Sequence, residues 1–405
     1  MILHLANDEK IIGRTVEIFE EVFPFSNLWV ITNRARKKDL SVIQPTPKTE
    51  HLLLGRKEFL KDIKGNISAV MTRCGEFKGS LENSLAENSL LGSRVNIVIH
   101  LLNPRKISIV KQIQKALPAT CNVKIYWIIW GLDLYNKLLA PAGFEMFTQD
   151  NRYSAILDKG LGFFNRIGAT REAKSTVKFI EQSVDYIVTD TTESDYSQLV
   201  KYYPQLAAKP WKDFFYYPID TILGELYYRP LPGGSCKEIV MVGNSASRTN
   251  NHKYLLALLS QFDLRGKKVV VPLSYSGRAR YVNEIVAYGK KEVEGFVPLM
   301  KFMPLDEYNK LQSSTAVALF GNLRQEAIGN IMIALYMGAK VFLFDSNPVY
   351  EWAAKHNFKV YPMSALSQME LDTLLPAEDA EHNRSVLREL YSKRRMIQLI
   401  KELFE

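Results

Sequence analysis

The chain has 405 residues, 47% of them hydrophobic, and a formal net charge of +9. Such a length fills two ordinary cores, since one core would be unusually large, and the positive balance points to an anionic partner: nucleic acid, an acidic membrane or a phosphorylated substrate. Three widely spaced cysteines, Cys74, Cys121 and Cys236, with no Cys-x-x-Cys pair, argue against a disulfide framework or a zinc site and fit a reducing cytoplasm. The first residues run directly into a strand-like segment without a basic flank or a small-residue cleavage site, so no signal peptide is expected. The longest apolar stretches, 126–130 and 331–337, fall well short of the roughly 20 residues of a membrane-spanning helix.

In chain order, strand-like runs fall at 2–5, 28–31, 95–100, 123–129 and 186–189, and again at 238–242, 268–272, 297–299, 316–320 and 340–344. Helical patterns separate them, which predicts a parallel α/β sheet formed twice, as two facing Rossmann-like domains. Pro204, Pro210, Pro218, Pro230, Pro232, Gly233 and Gly234 interrupt the stretch between them. The division is placed at 1–212, 213–380 and a helical tail at 381–405, whose apolar spacing suits a helix that crosses back to the first domain. Basic residues cluster at Arg34, Arg36, Lys37 and Lys38, at Arg105, Lys106, Lys111 and Lys115, and at Lys393, Arg394 and Arg395. Each cluster reads as a solvated face or as an anion-seeking surface.

The stretch from Glu238 to His252 carries the strongest local signal. It reads as a buried strand, a polar turn and the start of a helix, an arrangement that aims free backbone N–H groups at an anion. Gly243 permits an unusual backbone angle, Asn244 and Ser245 cap or bond phosphate, and Arg248 adds a cation. An ordinary strand-to-helix turn has the same letters. Arg324, Gln325, Glu326, Gly329 and Asn330 follow the strand at 316–320 and open the apolar helix at 331–337, so they belong on the same sheet edge, with Tyr275 after the strand at 268–272. Glu326 suits sugar hydroxyls or a helix start, and Tyr275 a base, a phosphate or the core.

Trp-Gly-Leu-Asp-Leu-Tyr at 130–135, Val-Gly-Asn-Ser at 242–245 with the Arg and Asn that follow, Lys-Val-Val-Val-Pro-Leu-Ser-Tyr at 268–275, and Arg324-Gln325 with Ile328-Gly329 occur in this order. Together they resemble the TDP-N-acetylfucosamine:lipid II N-acetylfucosaminyltransferase family, glycosyltransferase family 56. The chain departs from it in an extended stretch between Lys48 and Leu90 and in its basic tail. The resemblance implies a GT-B fold and transfer of a 4-acetamido-4,6-dideoxy sugar from a dTDP donor to an undecaprenyl-diphosphate-linked glycan. A peripheral place on the cytoplasmic face of the bacterial inner membrane would follow. The first domain would then bind the acceptor and the second the nucleotide sugar.

In that frame Asp133, after a tryptophan-rich strand, is a base for the acceptor hydroxyl or the N-cap of the next helix, and Asp8 is the alternative base. His4, Arg14 and His100 are candidates for acceptor contacts at the same edge, although a strand-end histidine also serves structure. No Asp-x-Asp pair, Walker lysine or full Gly-x-Gly-x-x-Gly occurs, so neither a metal nor a cofactor is expected. The nucleotide sugar is a co-substrate. No nucleic-acid partner is expected on this reading. A nucleotide- or nucleic-acid-binding α/β protein without transferase activity is the alternative, with a sugar-phosphate epimerase behind it.

Overall fold

The computed structural model describes residues 1–32, 53–79, 94–149, 163–230 and 237–405. The basic run at Arg34, Arg36, Lys37 and Lys38, part of the extended stretch between Lys48 and Leu90, and Pro232, Gly233, Gly234 and Cys236 lie outside the described residues.

The first sheet has strands β1 (Ile2–Ala6), β2 (Asn27–Ile31), β3 (Leu53–Gly55), β4 (Arg94–His100), β5 (Asn122–Ile128), β6 (Tyr186–Asp190) and β7 (Trp211–Phe214). They lie in the order β3-β2-β1-β4-β5-β6-β7, every pair parallel. The second has β8 (Ile239–Val242), β9 (Lys268–Pro272), β10 (Phe296–Leu299), β11 (Thr315–Phe320), β12 (Lys340–Leu343) and β13 (Tyr361–Pro362), in the order β10-β9-β8-β11-β12-β13, again all parallel. Central strands such as β1, β8 and β11 are buried along their whole length, which explains their near-continuous apolar letters. In each sheet the chain winds away from its first strand to one side and then returns to the other. The two switch points fall between β1 and β4 and between β8 and β11, where α/β sheets bind their ligands.

All ten strand-like runs are strands. The three that periodicity missed, β3, β7 and β13, are at sheet edges and are two to four residues long. Strand β7 bears on the domain division. It follows Pro210 within the proline-rich stretch and pairs with β6 from Ile187↔Trp211 to Asp190↔Phe214. An edge strand bonds its neighbour on one side only, so a preceding proline is tolerated.

One compact unit consists of Met1–Leu139, Thr170–Tyr216 and Met396–Glu405, and the other of Ala140–Ala169 and Tyr217–Arg395. These limits differ from the expected 1–212, 213–380 and 381–405. The tail is two helices, Ala377–Leu390 in the second unit and Lys393–Leu403, most of which lies in the first. The last helix buries Met396, Leu399, Ile400 and Leu403, the spacing of one helical face. Phe404 continues this contact, its ring 5.2 Å from Tyr126 and 5.7 Å from Phe23. Lys212 donates to the terminal carbonyls of Glu402 at 2.5 Å and Leu403 at 3.0 Å, where the helix dipole favours a cation. Leu403→Ala should cost the first unit about 2–5 kcal/mol. Hydrogen exchange of β1, β4 and β5 should quicken while that of β8 and β11 stays unchanged, and equal changes in both sheets would disprove a local role for this helix.

Candidate functional site

Loops leave the C-terminal ends of β8, β9 and β11 in the second unit, and buried asparagines tie them together. Gly243 ends β8 at φ +70, and its amide donates to Leu319 at 2.8 Å. A Cβ there would stand 2.7 Å from Asn250 Oδ1 and 3.0 Å from His252 Nε2, so both angle and space require glycine. Asn250 Oδ1 accepts the Asn244 amide at 3.0 Å. Asn251, itself in the left-handed region, donates to the carbonyl of Gly321 at 2.6 Å. Asn322 donates to Thr249 O at 3.2 Å, and Asn347, after β12, donates to Asn322 O at 2.9 Å.

In this geometry four amides of the first loop are turned to neighbouring groups rather than to an anion. The amides of Gly243, Asn244, Ala246 and Ser247 are spent on Leu319 O, Asn250 Oδ1, Tyr275 O and Ser245 Oγ. The helix also starts later than expected, at His252, after a 3₁₀ turn at Arg248–Asn250. The second loop has the free amides. Its helix runs Ile328–Tyr336 rather than from residue 331, so Gly329 and Asn330 lie in its first turn. The N–H groups of Ile328, Gly329 and Asn330 have no acceptor within the helix. Ala327, at φ +64, turns the chain into it.

Glu326 is not an exposed helix-start carboxylate. Its Oε2 accepts from Thr249 Oγ1 at 2.5 Å, Arg324 Nε at 3.0 Å and Asn322 Nδ2 at 3.1 Å. It therefore joins the β8 and β11 loops and orients Arg324. Gln325 is buried beside it. Arg248 sits with its guanidinium 4.4 Å from the ring of Tyr281, whose hydroxyl pairs with His252 Nδ1 at 2.9 Å. Tyr275 is 44% exposed and accepts from Asn244 Nδ2 at 3.4 Å. Gly243, Asn244, Ser245, Arg248, Tyr275 and the residues from Arg324 to Asn330 thus share one sheet edge.

In the first unit the outcome is different. His4 and His100 lie inside the core, not at a surface. His4 stacks on Trp29 with centroids 3.7 Å apart and bonds Asn27 at 3.2 Å and His100 at 3.1 Å. His100 in turn bonds the Tyr216 hydroxyl at 2.7 Å, which also accepts from Trp130 Nε1 at 2.9 Å. Burial drives both imidazoles well below their usual pKa, His4 to about 3, so they stay neutral. Such placement suits core positioning, not acceptor contact.

Asp133 is also inside. One oxygen accepts from Leu102 N at 2.6 Å and Trp127 Nε1 at 2.8 Å, the other from Trp130 N at 2.8 Å and Leu134 N at 3.0 Å. Burial raises its pKa to about 6 against those four bonds. The carboxylate closes the turn between β5 and a π-helical segment, Leu132–Leu139, which fits the capping alternative. Lys106, placed in a basic surface cluster on sequence grounds, is wholly buried, and its ammonium donates to the carbonyls of His100 and Leu101. Lys111 and Lys115 on the same helix are exposed. Asp8 and Arg14 are half-buried near the end of β1. Asp190, which the sequence reading passed over, is half-buried at the end of β6. Thr191 donates to it at 3.0 Å, and burial raises its carboxyl to about 7. Its signal in the sequence is its place directly after the strand-like run at 186–189.

The family model for 4-alpha-L-fucosyltransferase, glycosyl transferase group 56, matches residues 196–389. That span includes all six strands of the second sheet and the loops that follow β8, β9 and β11. The chain is a glycosyltransferase, and over residues 196–389 it is similar to group 56. The fold agrees with this family. HepE from Anabaena in complex with UDP superposes with a TM-score of 0.61 at 11% identity, covering 100% of this chain and 99% of that one. Sucrose-phosphate synthase from Thermosynechococcus elongatus gives 0.57 at 10%, covering 100% and 98%, and the trehalose 6-phosphate synthase from Burkholderia multivorans 0.56 at 10%, covering 100% and 95%. The architecture is that of the GT-B class, two Rossmann-like units.

In this glycosyltransferase Lys106 gives a pH signature of the first unit. A lysine titrates near 10.5 when unfolded, whereas burial holds Lys106 at about 7 in the fold. Between those values the unfolded chain binds a proton that the folded chain lacks, so stability rises with pH, by at most about 1.4 kcal/mol per unit. Lys106→Met should remove that slope. Urea midpoints of wild type and variant at pH 7 and 9 measure it, and parallel pH dependence of the two proteins would contradict the buried lysine.

Proposed function

We propose that this glycosyltransferase moves a 4-acetamido-4,6-dideoxygalactose-type sugar from a dTDP donor to an undecaprenyl-diphosphate-linked oligosaccharide in bacterial surface polysaccharide assembly. It works as a peripheral protein on the cytoplasmic face of the inner membrane. The observation that carries the donor half is the start of helix Ile328–Tyr336 beside the β8/β11 switch, preceded by the Arg324–Glu326 pair. A nucleotide sugar leaves as a nucleoside diphosphate, and unsatisfied N–H groups with the positive helix end stabilise that charge as it forms. Arg324 and Arg248 add cations on the same edge. UDP bound to HepE, a protein of like fold, supports a nucleotide donor, while the sugar and the lipid acceptor rest on the four sequence blocks.

Transfer forms a bond between the acceptor oxygen and the anomeric carbon and breaks the bond from that carbon to the diphosphate. The acceptor proton passes to a carboxylate. Asp133 has both oxygens engaged, so the half-buried Asp190, or Asp8 near the end of β1, takes the base role. Helix Leu132–Leu139 keeps its exposed Leu132 at that edge for the acceptor.

A thermal-shift panel of dTDP, UDP and GDP sugars tests donor class directly, and dTDP sugars should stabilise most. Arg324→Ala should weaken donor binding about 10- to 100-fold, the loss of one charged hydrogen bond. Wild-type affinity in both Arg324→Ala and Arg248→Ala would remove the diphosphate site. Asp190→Asn should lower kcat by roughly 10²- to 10⁴-fold with donor KM nearly unchanged. Asp133→Asn should instead lower the melting temperature. The opposite pattern in these two variants would restore Asp133 as the base.

A further inference from the structure

Five of the ten exposed large hydrophobic side chains among the described residues fall between positions 275 and 305: Tyr275, Val297, Met300, Phe302 and Leu305, with Phe302 64% exposed. Strands β9 and β10 bring most of them together. Pro272 pairs with Leu299, and Leu273 N donates to Leu299 O at 2.9 Å, so the loops that follow leave adjacent strand ends side by side. Clustered exposure of this kind marks an interaction surface, whereas isolated exposed leucines do not.

The charges in these loops are all of one sign. Arg278, Arg280 and Lys301 are exposed, and neither 273–281 nor 299–305 contains an aspartate or glutamate. The next carboxylates, Asp306 and Glu307, sit in the first turn of helix Leu305–Ser313, where they answer the helix dipole. Aromatic and aliphatic side chains interleaved with cations are the composition of segments that lie in a lipid interface.

We propose that the β9 and β10 loops dock this protein on an anionic lipid membrane, with Met300, Phe302 and Leu305 entering the headgroup layer and Arg278, Arg280 and Lys301 meeting lipid phosphates. This rests on the reading of a lipid-linked acceptor and locates its membrane contact in the second unit, next to Tyr275 and the donor loops. The basic helix at 104–116 has less to offer, because Lys106 is spent on backbone carbonyls.

The test is sedimentation of the full chain with vesicles of phosphatidylcholine alone and of phosphatidylcholine mixed with phosphatidylglycerol. Wild type should bind the mixed vesicles and release as salt rises. Arg278→Gln, Arg280→Gln and Lys301→Gln combined should lower the partition coefficient roughly 100-fold. Met300→Ser with Phe302→Ser should lower it at least tenfold, with the melting temperature and the donor-induced thermal shift unchanged. Wild-type partitioning of both variants, or no binding of wild type to either vesicle, would overturn the proposal. So would joint loss of donor shift and vesicle binding, which would assign the loops to the donor. A wild-type protein that binds mixed vesicles but responds to no nucleotide sugar would sink the transferase reading and leave the docking surface standing.

Discussion

The edge of the second sheet depends on side-chain amides that finish what the strand ladder leaves open. At the switch point β8 and β11 are neighbours, but past their last residues the two chains part and their peptide groups lose each other as partners. Asn250 takes the Asn244 amide, Asn251 supplies a donor to Gly321, and Asn322 supplies one to Thr249. Each bond is buried, and each would leave an unsatisfied polar group if its side chain were cut back, at about 1–3 kcal/mol. The loops are therefore fixed before any ligand arrives, which is the condition for electrostatic stabilisation of a leaving group.

That rigidity accounts for a carboxylate in a region suited to an anion. Glu326 would repel a diphosphate if its charge stood alone. It holds three donors, one of them the guanidinium of Arg324, so its charge is largely answered within the loop. The positive potential then comes from the first turn of helix Ile328–Tyr336 and from Arg248, which is braced on Tyr281 and, through that hydroxyl, on His252 beneath the Gly243 turn. Gly243 is required by what lies under it, not by a phosphate above it.

Much of the fold was legible because buried parallel strands write long apolar runs, and ten such runs are ten strands. Edge strands of two to four residues, such as β7 after Pro210 and β13, carry no comparable pattern. The candidate site was legible as a set of loops but not as a set of roles. The letters Gly-Asn-Ser look the same whether their amides face a ligand or a neighbouring loop. Only the fold shows that the amides of Gly243 and Asn244 are spent on neighbouring loops, while those of Ile328, Gly329 and Asn330 open a helix. Polar residues in the first unit misled for a related reason. A histidine or aspartate at a strand end signals chemistry only if its hydrogen-bonding capacity is left over, and sequence does not reveal partners 31 or 116 positions away, such as Leu102 for Asp133 or Tyr216 for His100.

The same accounting separates the two units. In the first, His4, His100, Lys106 and Asp133 form a buried polar spine beneath the strand ends, neutral in its histidines and closed by backbone carbonyls and amides. Deep burial fixes the strand ends but withdraws these groups from any substrate, since a carboxylate with four donors has no lone pair to offer an incoming hydroxyl. On the function proposed above, acceptor chemistry would fall to groups at the rim that burial has perturbed without enclosing. Asp190 is placed that way: Thr191 Oγ1 donates to it at 3.0 Å, the Tyr216 backbone bonds it too, burial raises its carboxyl to about 7, and it is only partly buried. A carboxyl in that state accepts a proton near pH 7 more readily than an ordinary surface aspartate, and a buried, saturated one cannot be reached by the acceptor at all.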